Sequence, residues 1–195
     1  MSNATEIVKP LMTVDEFLDL PDDGVDRDLI DGVLHEWPGT PVTYRSIAHS
    51  VAEADFATSL NLWLRTQHRP CGLIVSGEAG FRLRRDPAVV VGIDVAYVGP
   101  EVVERSQGQR IFDGPPILAV EILSPSDTSE RVANKVTLCL EAGVALVWLV
   151  DPKFRTVTVY GPEIPPRLFN IRDELTAEAH LPGLRLDVVD LFPDA

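Results

Sequence analysis

Two apolar runs separated by a segment of helical period form the strongest pattern in this chain. Residues 117–123 are apolar apart from Glu121, and residues 145–150 form the second run. Between them lie Ser124-Pro125-Ser126, a helical pattern and a glycine. This order predicts a strand, a helix and a strand, a unit that favours parallel pairing of its strands.

The region before this unit predicts a helix, a hairpin and a longer helix. Thr13 with Glu16 three residues on is typical of a capping box and predicts a helix over 13–20. An Asp-Gly pair at 31–32 predicts a hairpin over 28–34. The longest helical pattern runs from Thr43 to about Arg65. We expect its apolar stripe to comprise Ile47, Val51, Ala54, Leu60, Trp63 and Leu64.

The other elements are mainly strands. Residues 89–98 predict a long strand that is apolar apart from Asp94. We expect the following in addition: short strands over 73–76 and 79–83, a helical piece over 101–105, an edge strand over 156–160, a loop over 161–166, weak strands over 167–170 and 184–186, and a closing turn over 188–192. With no repeat or linker, the pattern predicts one α/β domain over residues 1–195.

Composition and charge narrow the possible classes of protein. No apolar run approaches the roughly 18 residues of a membrane span, and the N-terminus lacks an apolar signal segment, so we expect a soluble cytoplasmic protein. Cys71 and Cys139 lie in apolar contexts and predict buried thiols. The net charge of −13 argues against a basic nucleic-acid coat, but it allows a locally positive cleft or metal-neutralised phosphates.

Asp94 and Glu121 are each the only acid in an apolar strand, which is costly unless each carboxylate has a partner. Strands adjacent in sequence are often neighbours in a sheet, so the two carboxylates can converge. Two such anions repel each other unless a cation lies between them. Either a lysine or a hard ion such as Mg²⁺ would serve, and the backbone carbonyl of Ile122 could add a metal ligand.

The helix after Glu121 supplies a candidate amine. Its predicted apolar stripe comprises Val132, Val136, Cys139, Leu140 and Gly143, and Lys135 lies at the edge of that stripe. The stem of Lys135 could follow the core while its ammonium reaches the strand end. A bound metal would activate water, and Lys135 would orient that water or stabilise charge on a phosphate. A salt-bridged acid and a solvated lysine explain the same pattern, so both interpretations stay open here.

Several stretches in order along the chain resemble the Uma family of restriction-endonuclease-like proteins, within the PD-(D/E)XK nuclease superfamily. They are MTVDEFLDLPDDG, RDLIDGVLHE, HSVAEADFATSLNLWL, GIDVAYV, AVEILSPSD with the later Lys135, EAGVALVWLVDP and LPGLRLDVVDLF. The resemblance implies an α/β fold with a restriction-endonuclease-like mixed central sheet flanked by helices. An N-terminal helix and hairpin extension would span about 11–37, the nuclease core about 43–160, and the C-terminal strands and turn about 167–192.

The resemblance also implies an activity, a cofactor and partners. It places the two acids of the superfamily motif on Asp94 and Glu121, with Lys135 replacing the usual motif lysine. The implied function is a Mg²⁺- or Mn²⁺-dependent endonuclease that hydrolyses DNA phosphodiester bonds. Its partner would be DNA and not a membrane. We expect a homodimer, because cutting both strands commonly needs two centres.

Four positions depart from the family pattern. Ile93 stands where the motif usually has proline, Cys139 where an aromatic is common, and Asp28 where a glutamate is common. Arg131 stands where the family often has an acid, so it either weakens metal binding or gives a phosphate a new partner.

The accessory site candidates are Glu78, His49, Asp28 and Arg131; a structural explanation is equally good for His49 and is the better one for Glu78. His49 either faces the site or packs in its helix, and Glu78 either binds metal through water or is a surface turn acid. DNA-backbone contacts or solvated turn charges equally explain a set of basic residues: Arg82, Arg84, Arg85, Lys153 and Arg155. Two other functions remain alternatives: a catalytically decayed nucleic-acid or protein-binding module on the same fold, and a phosphoesterase acting on small nucleotides.

Overall fold

The computed structural model describes residues 11–37, 45–69, 71–125 and 127–192. The helices are α1 Val14–Leu18, α2 Ile47–Leu64, α3 Pro100–Arg105 and α4 Ser129–Glu141, and a 3-10 turn covers Val188–Leu191. The strands are β1 Asp26–Ile30, β2 Val33–Trp37, β3 Leu73–Arg84, β4 Val89–Val98, β5 Phe112–Asp113, β6 Leu118–Ile122, β7 Leu146–Asp151, β8 Thr156–Gly161, β9 Ile164–Asn170, β10 Glu174–Ala177 and β11 Leu181–Asp187.

Nine of the described strands form one mixed sheet, in which β2-β1-β4-β6-β7-β8-β9 is the main order. The strand–helix–strand unit β6-α4-β7 pairs its strands in parallel, which confirms the expectation. β3 pairs with β4 from end to end and so occupies one edge of β4. The other edge is shared: β1 pairs at Val90, and β6 pairs over Val95–Tyr97. This division leaves a gap beside the middle of β4.

Helices cover both faces of the sheet. α2 and the C-terminal hairpin pack on one face, where Phe56, Trp63 and Trp148 are buried. α4 packs on the other face through Val136 and the buried free thiol of Cys139. Cys71 is also a buried free thiol, so both cysteine predictions are confirmed. Among the described residues, no helix has the length and apolar character needed to cross a bilayer.

The N-terminal predictions hold, with one difference in how the hairpin joins the fold. Thr13 and Glu16 form the capping box that starts α1. Asp31 and Gly32 take the positive φ angles of 54° and 73° that a tight hairpin turn needs. The β1–β2 hairpin is part of the main sheet, because Leu29 pairs with Val90 of β4.

The predicted stripe on α2 is wrong in its first half. Ile47 is 79% exposed and Val51 is 36% exposed. The buried residues are His49, Ala52, Phe56, Leu60 and Trp63. Two helical stripes compete in this sequence, and contact with the sheet selects the one that carries Phe56. The helix begins at Ile47, and Thr43 lies outside the described residues.

The C-terminal strand predictions also need correction. β8 is an interior strand, because β9 pairs along its outer side. β9 begins at Ile164, so it takes in Pro165 and Pro166 from the predicted loop. Proline fits an edge strand, whose outward N–H positions have no partner to lose. The two short strands predicted over 73–83 are one strand, and β5 and β10 were not predicted.

Candidate active site

Asp94 and Glu121 lie side by side at the gap beside β4. Val95 pairs with Val120 in the antiparallel β4–β6 ladder, and one further step of that register places Asp94 opposite Glu121. Directly opposed residues in antiparallel strands project to the same face of the sheet. The strand pairing proposed from the two lone acids is therefore present, and it places both carboxylates on the same face of the sheet.

A β-bulge in β3 lies across from Asp94 on the other edge of β4. Ser76 pairs with Val95 and Ala79 pairs with Ile93, so Gly77 and Glu78 oppose the single residue Asp94. Both bulge residues have positive φ angles, 85° for Gly77 and 57° for Glu78. A bulge bends its strand and redirects nearby side chains, which is why bulges are frequent beside active sites.

Asp94 is 5% exposed, and its charge is compensated on both oxygens. Oδ2 accepts a 2.8 Å hydrogen bond from the backbone N–H of Ile122, and Oδ1 lies 3.4 Å from Nε2 of His49. Burial alone would raise the pKa of Asp94. The His49 imidazole, the Lys135 charge and the Ile122 N–H outweigh burial and hold the pKa of Asp94 below its ordinary value.

Glu121 forms an ion pair with Lys135. Nζ of Lys135 donates to Oε2 of Glu121 at 2.6 Å. Burial raises the pKa of Glu121 to about 7, and the Asp94 charge adds to this shift while Lys135 opposes it. The other oxygen, Oε1, is buried and has no hydrogen-bond partner among the described residues. An unpartnered carboxylate oxygen at this depth is costly, so the site is suited to a further cation.

Lys135 lies among three carboxylates. Burial opposes its charge, but Glu121, Asp28 and Asp94 raise the pKa of Lys135 above its ordinary value, so the ammonium form persists. The helix that carries it starts at a capped end, where Oγ1 of Thr128 accepts from the N–H of Arg131 at 3.2 Å. The side chain of Asp127, just before this cap, accepts from the N–H of Ser124 at 2.7 Å. These contacts fix the beginning of α4 beside Glu121.

Asp28 and His49, two of the accessory candidates, belong to the surroundings of the site. Asp28 is 5% exposed, and its Oδ2 accepts a 2.8 Å hydrogen bond from Nε1 of Trp37. His49 is 2% exposed and lies in the first turn of α2, whose cap Ser46 accepts from the N–H of His49. The helix cap therefore places the imidazole against Asp94.

Glu53 was not singled out from the sequence. Its Oε1 accepts a 2.7 Å hydrogen bond from the N–H of Gly77 in the bulge, and its Oε2 lies 3.8 Å from Nδ1 of His49. Glu53 thus connects the bulge to the imidazole that contacts Asp94. Its position four residues after His49, on the same helical face, was the available signal.

Glu78 and Arg131 make other contacts. The carboxylate of Glu78 pairs with the Arg45 guanidinium. Arg131 pairs with Asp26 at 2.5 Å, and its guanidinium lies 4.4 Å from the centre of a Trp37 ring. Asp26 therefore neutralises the positive charge that stands where the family often has an acid.

Three of the basic residues considered for DNA contact are already in ion pairs. Arg82 and Arg85 pair with Asp113, and Arg84 pairs with Asp31. Arg155 donates to the backbone carbonyl of Phe192 at 2.6 Å. These contacts favour a structural role over DNA contact, because the charges stabilise turns and strand ends.

The donor set suits a hard cation with few protein ligands. Within the described ranges, no three His, Cys, Asp or Glu side chains are grouped so as to hold a metal ion. Two carboxylates with retained waters are nevertheless a usual set for Mg²⁺. Asp94 and Glu121 supply that pair, and the unpartnered Oε1 of Glu121 supports the fit.

Comparisons with known proteins identify a family and a similar fold. A family model described as "Uma2: Putative restriction endonuclease" matches residues 14–189. A crystal structure of "a putative nuclease belonging to DUF820 from Anabaena variabilis" matches with a TM-score of 0.74 and 23% identity, covering 93% of this chain and 97% of that one. That likeness shows a shared restriction-endonuclease-like fold. The search of curated proteins found no significant match. The extent of the family match shows that this chain belongs to the Uma2 family.

Proposed function

We propose that this protein is a metal-dependent DNA endonuclease that hydrolyses phosphodiester bonds at Asp94, Glu121 and Lys135. One observation carries the proposal: Lys135 Nζ lies 2.6 Å from Oε2 of Glu121, while the buried Oε1 of the same carboxylate has no partner among the described residues. A purely structural ion pair would favour a carboxylate with both oxygens compensated. The arrangement instead fits a carboxylate shared between an amine and a further cation.

The ion would be Mg²⁺ or Mn²⁺, held by Asp94, Glu121 and the backbone carbonyl of Ile122. When bound, it would supply a Lewis acid that lowers the pKa of bound water and offsets charge on the phosphate. Ile122 also donates its N–H to Asp94, so one residue of β6 would fix a carboxylate and offer a carbonyl.

The protein groups around these ligands have positioning and electrostatic roles in this proposal. His49 holds Oδ1 of Asp94 and thereby limits its rotation. Lys135 remains an ammonium, so it donates hydrogen bonds that orient an attacking water or stabilise a phosphate oxygen as negative charge develops. DNA is the proposed substrate, in the cytoplasm, and a homodimer would supply a second centre for the opposite strand.

A plasmid-nicking assay tests the proposal. The protein would be incubated with supercoiled plasmid in Mg²⁺, in Mn²⁺ and in EDTA, beside Glu121→Ala and Lys135→Ala. We expect nicking only with a divalent ion, and a loss of about 100-fold or more in either variant. Glu130→Ala is a matched control, because Glu130 is exposed in the first turn of the helix that carries Lys135.

The same assay separates the alternatives. Equal cleavage by the wild type and Glu121→Ala would exclude this centre. DNA binding without cleavage in either metal would favour a binding module on the same fold. Hydrolysis of small nucleotide esters with intact plasmid would favour the phosphoesterase.

A further inference from the structure

A cavity of about 260 Å³ lies between the β1–β2 hairpin and α4, beside the candidate active site. Its hairpin wall includes Asp28, His35 and Trp37, and its helix wall includes Asn134 and Lys135. A smaller space of about 40 Å³ is lined by Glu121 and shares two residues with the cavity, Arg131 and Lys135. These two cations therefore stand between the cavity and the Glu121 carboxylate.

The hairpin wall presents aromatic rings. His35 and Trp37 are two residues apart on β2, and their rings stack with centroids 5.9 Å apart and an angle of 23° between planes. Stacked rings cover one face of each other and Arg131 lies over a Trp37 ring, so the outer face of His35 is the aromatic surface that the stack offers. Flat aromatic surfaces bind nucleobases through stacking, which every base offers.

The polar groups that line the cavity can form hydrogen bonds with the edge of a nucleobase. Asp28 lines it and is 5% exposed, and its one hydrogen bond among the described residues engages Oδ2. Oδ1 accepts no hydrogen bond from the described residues, so it is open to a donor on a ligand in the cavity. On the opposite wall, the Asn134 amide offers both a donor and an acceptor. This pair of groups matches the mixed hydrogen-bonding edge of a nucleobase.

The charges that line the cavity determine which part of a nucleotide can enter it. Asp28 and Glu141 line the cavity, so a phosphate inside it would face two carboxylates. Arg131 and Lys135 line both spaces, and each has further N–H donors beyond its ion pair with Asp26 or Glu121, so these donors suit a phosphate at the boundary. The volume lies just below the roughly 300–1,000 Å³ of sites for drug-sized ligands, which fits one base.

We propose that this cavity receives a single unstacked nucleobase, while the phosphate of the same nucleotide lies at Lys135 and Arg131. This inference rests on the proposed nuclease function, because it places that phosphate beside Glu121. The free acceptor on Asp28 favours bases with an exocyclic amino group, such as adenine, over thymine. A base in a duplex must leave the stack to enter, so single-stranded or locally opened DNA is the favoured substrate.

Binding measured in EDTA tests the cavity separately from cleavage. Deoxyadenosine 5′-monophosphate and deoxyribose 5-phosphate would be titrated into the protein by NMR, with the indole N–H signal of Trp37 assigned through Trp37→Phe. We expect the base-containing ligand to bind about fivefold tighter or better, the low end of one base–aromatic contact. We also expect it to shift the Trp37 signal, because that N–H bonds Asp28 in the cavity wall.

Two substitutions on the same helix provide the matched comparison. Thr137 lines the cavity and Ala133 does not, and both are exposed. Thr137→Trp should fill the cavity, bring the two ligands to equal affinity and leave deoxyribose 5-phosphate binding unchanged. Ala133→Trp should behave as the wild type. Asn134→Ala, a smaller change, should reduce the preference for the base.

The outcomes separate this inference from the nuclease proposal. Equal affinity for the two ligands in the wild type, no binding of either, or an unchanged base preference in Thr137→Trp would overturn the base site. Metal-dependent nicking that persists alongside such a result would leave the nuclease function standing. Base-dependent binding without nicking would support the cavity and reject the nuclease.

Discussion

The backbone N–H of Ile122 donates a 2.8 Å hydrogen bond to Oδ2 of Asp94. This contact joins β6 to β4 just beyond their last paired residues, Val120 and Val95. It replaces a ladder hydrogen bond at the point where the edge of β4 passes from β6 to β1. The Asp94 carboxylate therefore extends the connection between β4 and β6 and also contributes to the candidate active site.

The two roles of Asp94 can be separated by substitution. Asp94→Ala leaves the Ile122 N–H without an acceptor, so we expect it to lower the unfolding free energy by about 1–3 kcal/mol. Asp94→Asn keeps an oxygen acceptor and should lose less stability, while both variants lose nicking activity. Urea unfolding in EDTA, beside the plasmid assay, measures both properties. Full nicking by Asp94→Asn would show that the charge of Asp94 is not needed.

Glu53 is expected to act as a positioning residue through the bulge and His49. Glu53→Ala removes the acceptor for Gly77, and we expect a loss of about 10–100-fold in metal affinity or activity. Glu53→Gln keeps an acceptor and should restore most of it. Hydrogen exchange at the Gly77 amide is the structural readout, and it should quicken only in the alanine variant. Normal activity in Glu53→Ala with fast Gly77 exchange would confine Glu53 to a structural role.

The buried Glu121 carboxyl predicts a pH-dependent stability in metal-free protein. Because burial raises its pKa from 4.5 to about 7, the folded protein binds this proton more tightly than the unfolded chain. Unfolding free energy should therefore fall as pH rises from 4.5 to 7, by on the order of 3 kcal/mol for this group. Lys135 stays cationic throughout this range, because its pKa is raised above its ordinary value.

Glu121→Gln provides the comparison. The glutamine cannot titrate, so the wild type should lose stability relative to this variant between pH 4.5 and 7, while other carboxylates contribute equally to both. Urea unfolding in EDTA at half-unit pH intervals gives the difference curve. A flat difference would mean that Glu121 titrates near its ordinary value in the folded protein.

Arg131 is expected to stabilise the hairpin against α4. It pairs with Asp26 at 2.5 Å and lies over Trp37, and both members of the ion pair are largely buried. Arg131→Ala should cost about 1–2 kcal/mol of unfolding free energy, because the contacts are partly desolvated. Arg131→Glu, which introduces the acid common in the family, should cost more through repulsion by Asp26.

A double-mutant cycle with Asp26→Asn isolates the ion pair from the ring contact. We expect a coupling energy of about 1 kcal/mol between positions 26 and 131. If the effects of the two substitutions on the unfolding free energy are additive, the stabilisation by Arg131 comes from its contact with Trp37.

The sequence by itself predicted the elements whose signals are local. Continuous apolar runs with one acid each identified β4 and β6, and turn and capping residues identified the first hairpin and α1. It also offered Lys135, at the edge of the apolar stripe of the next helix, as one possible partner for Glu121, and the two side chains are in contact. These features depend on residues only a few positions apart.

The tertiary structure alone decided the features that depend on distant partners. α2 carries two apolar stripes, and only packing against the sheet buries the one with Phe56. The bulge opposite Asp94 depends on the register between β3 and β4, and no short pattern specifies that register. The same is true of Glu53 with Gly77 and of Arg131 with Asp26, pairs that lie far apart in sequence. The local sequence determines the backbone preference of each segment. Which side chains are buried and which charges pair depends on which helices and strands come into contact in the folded protein.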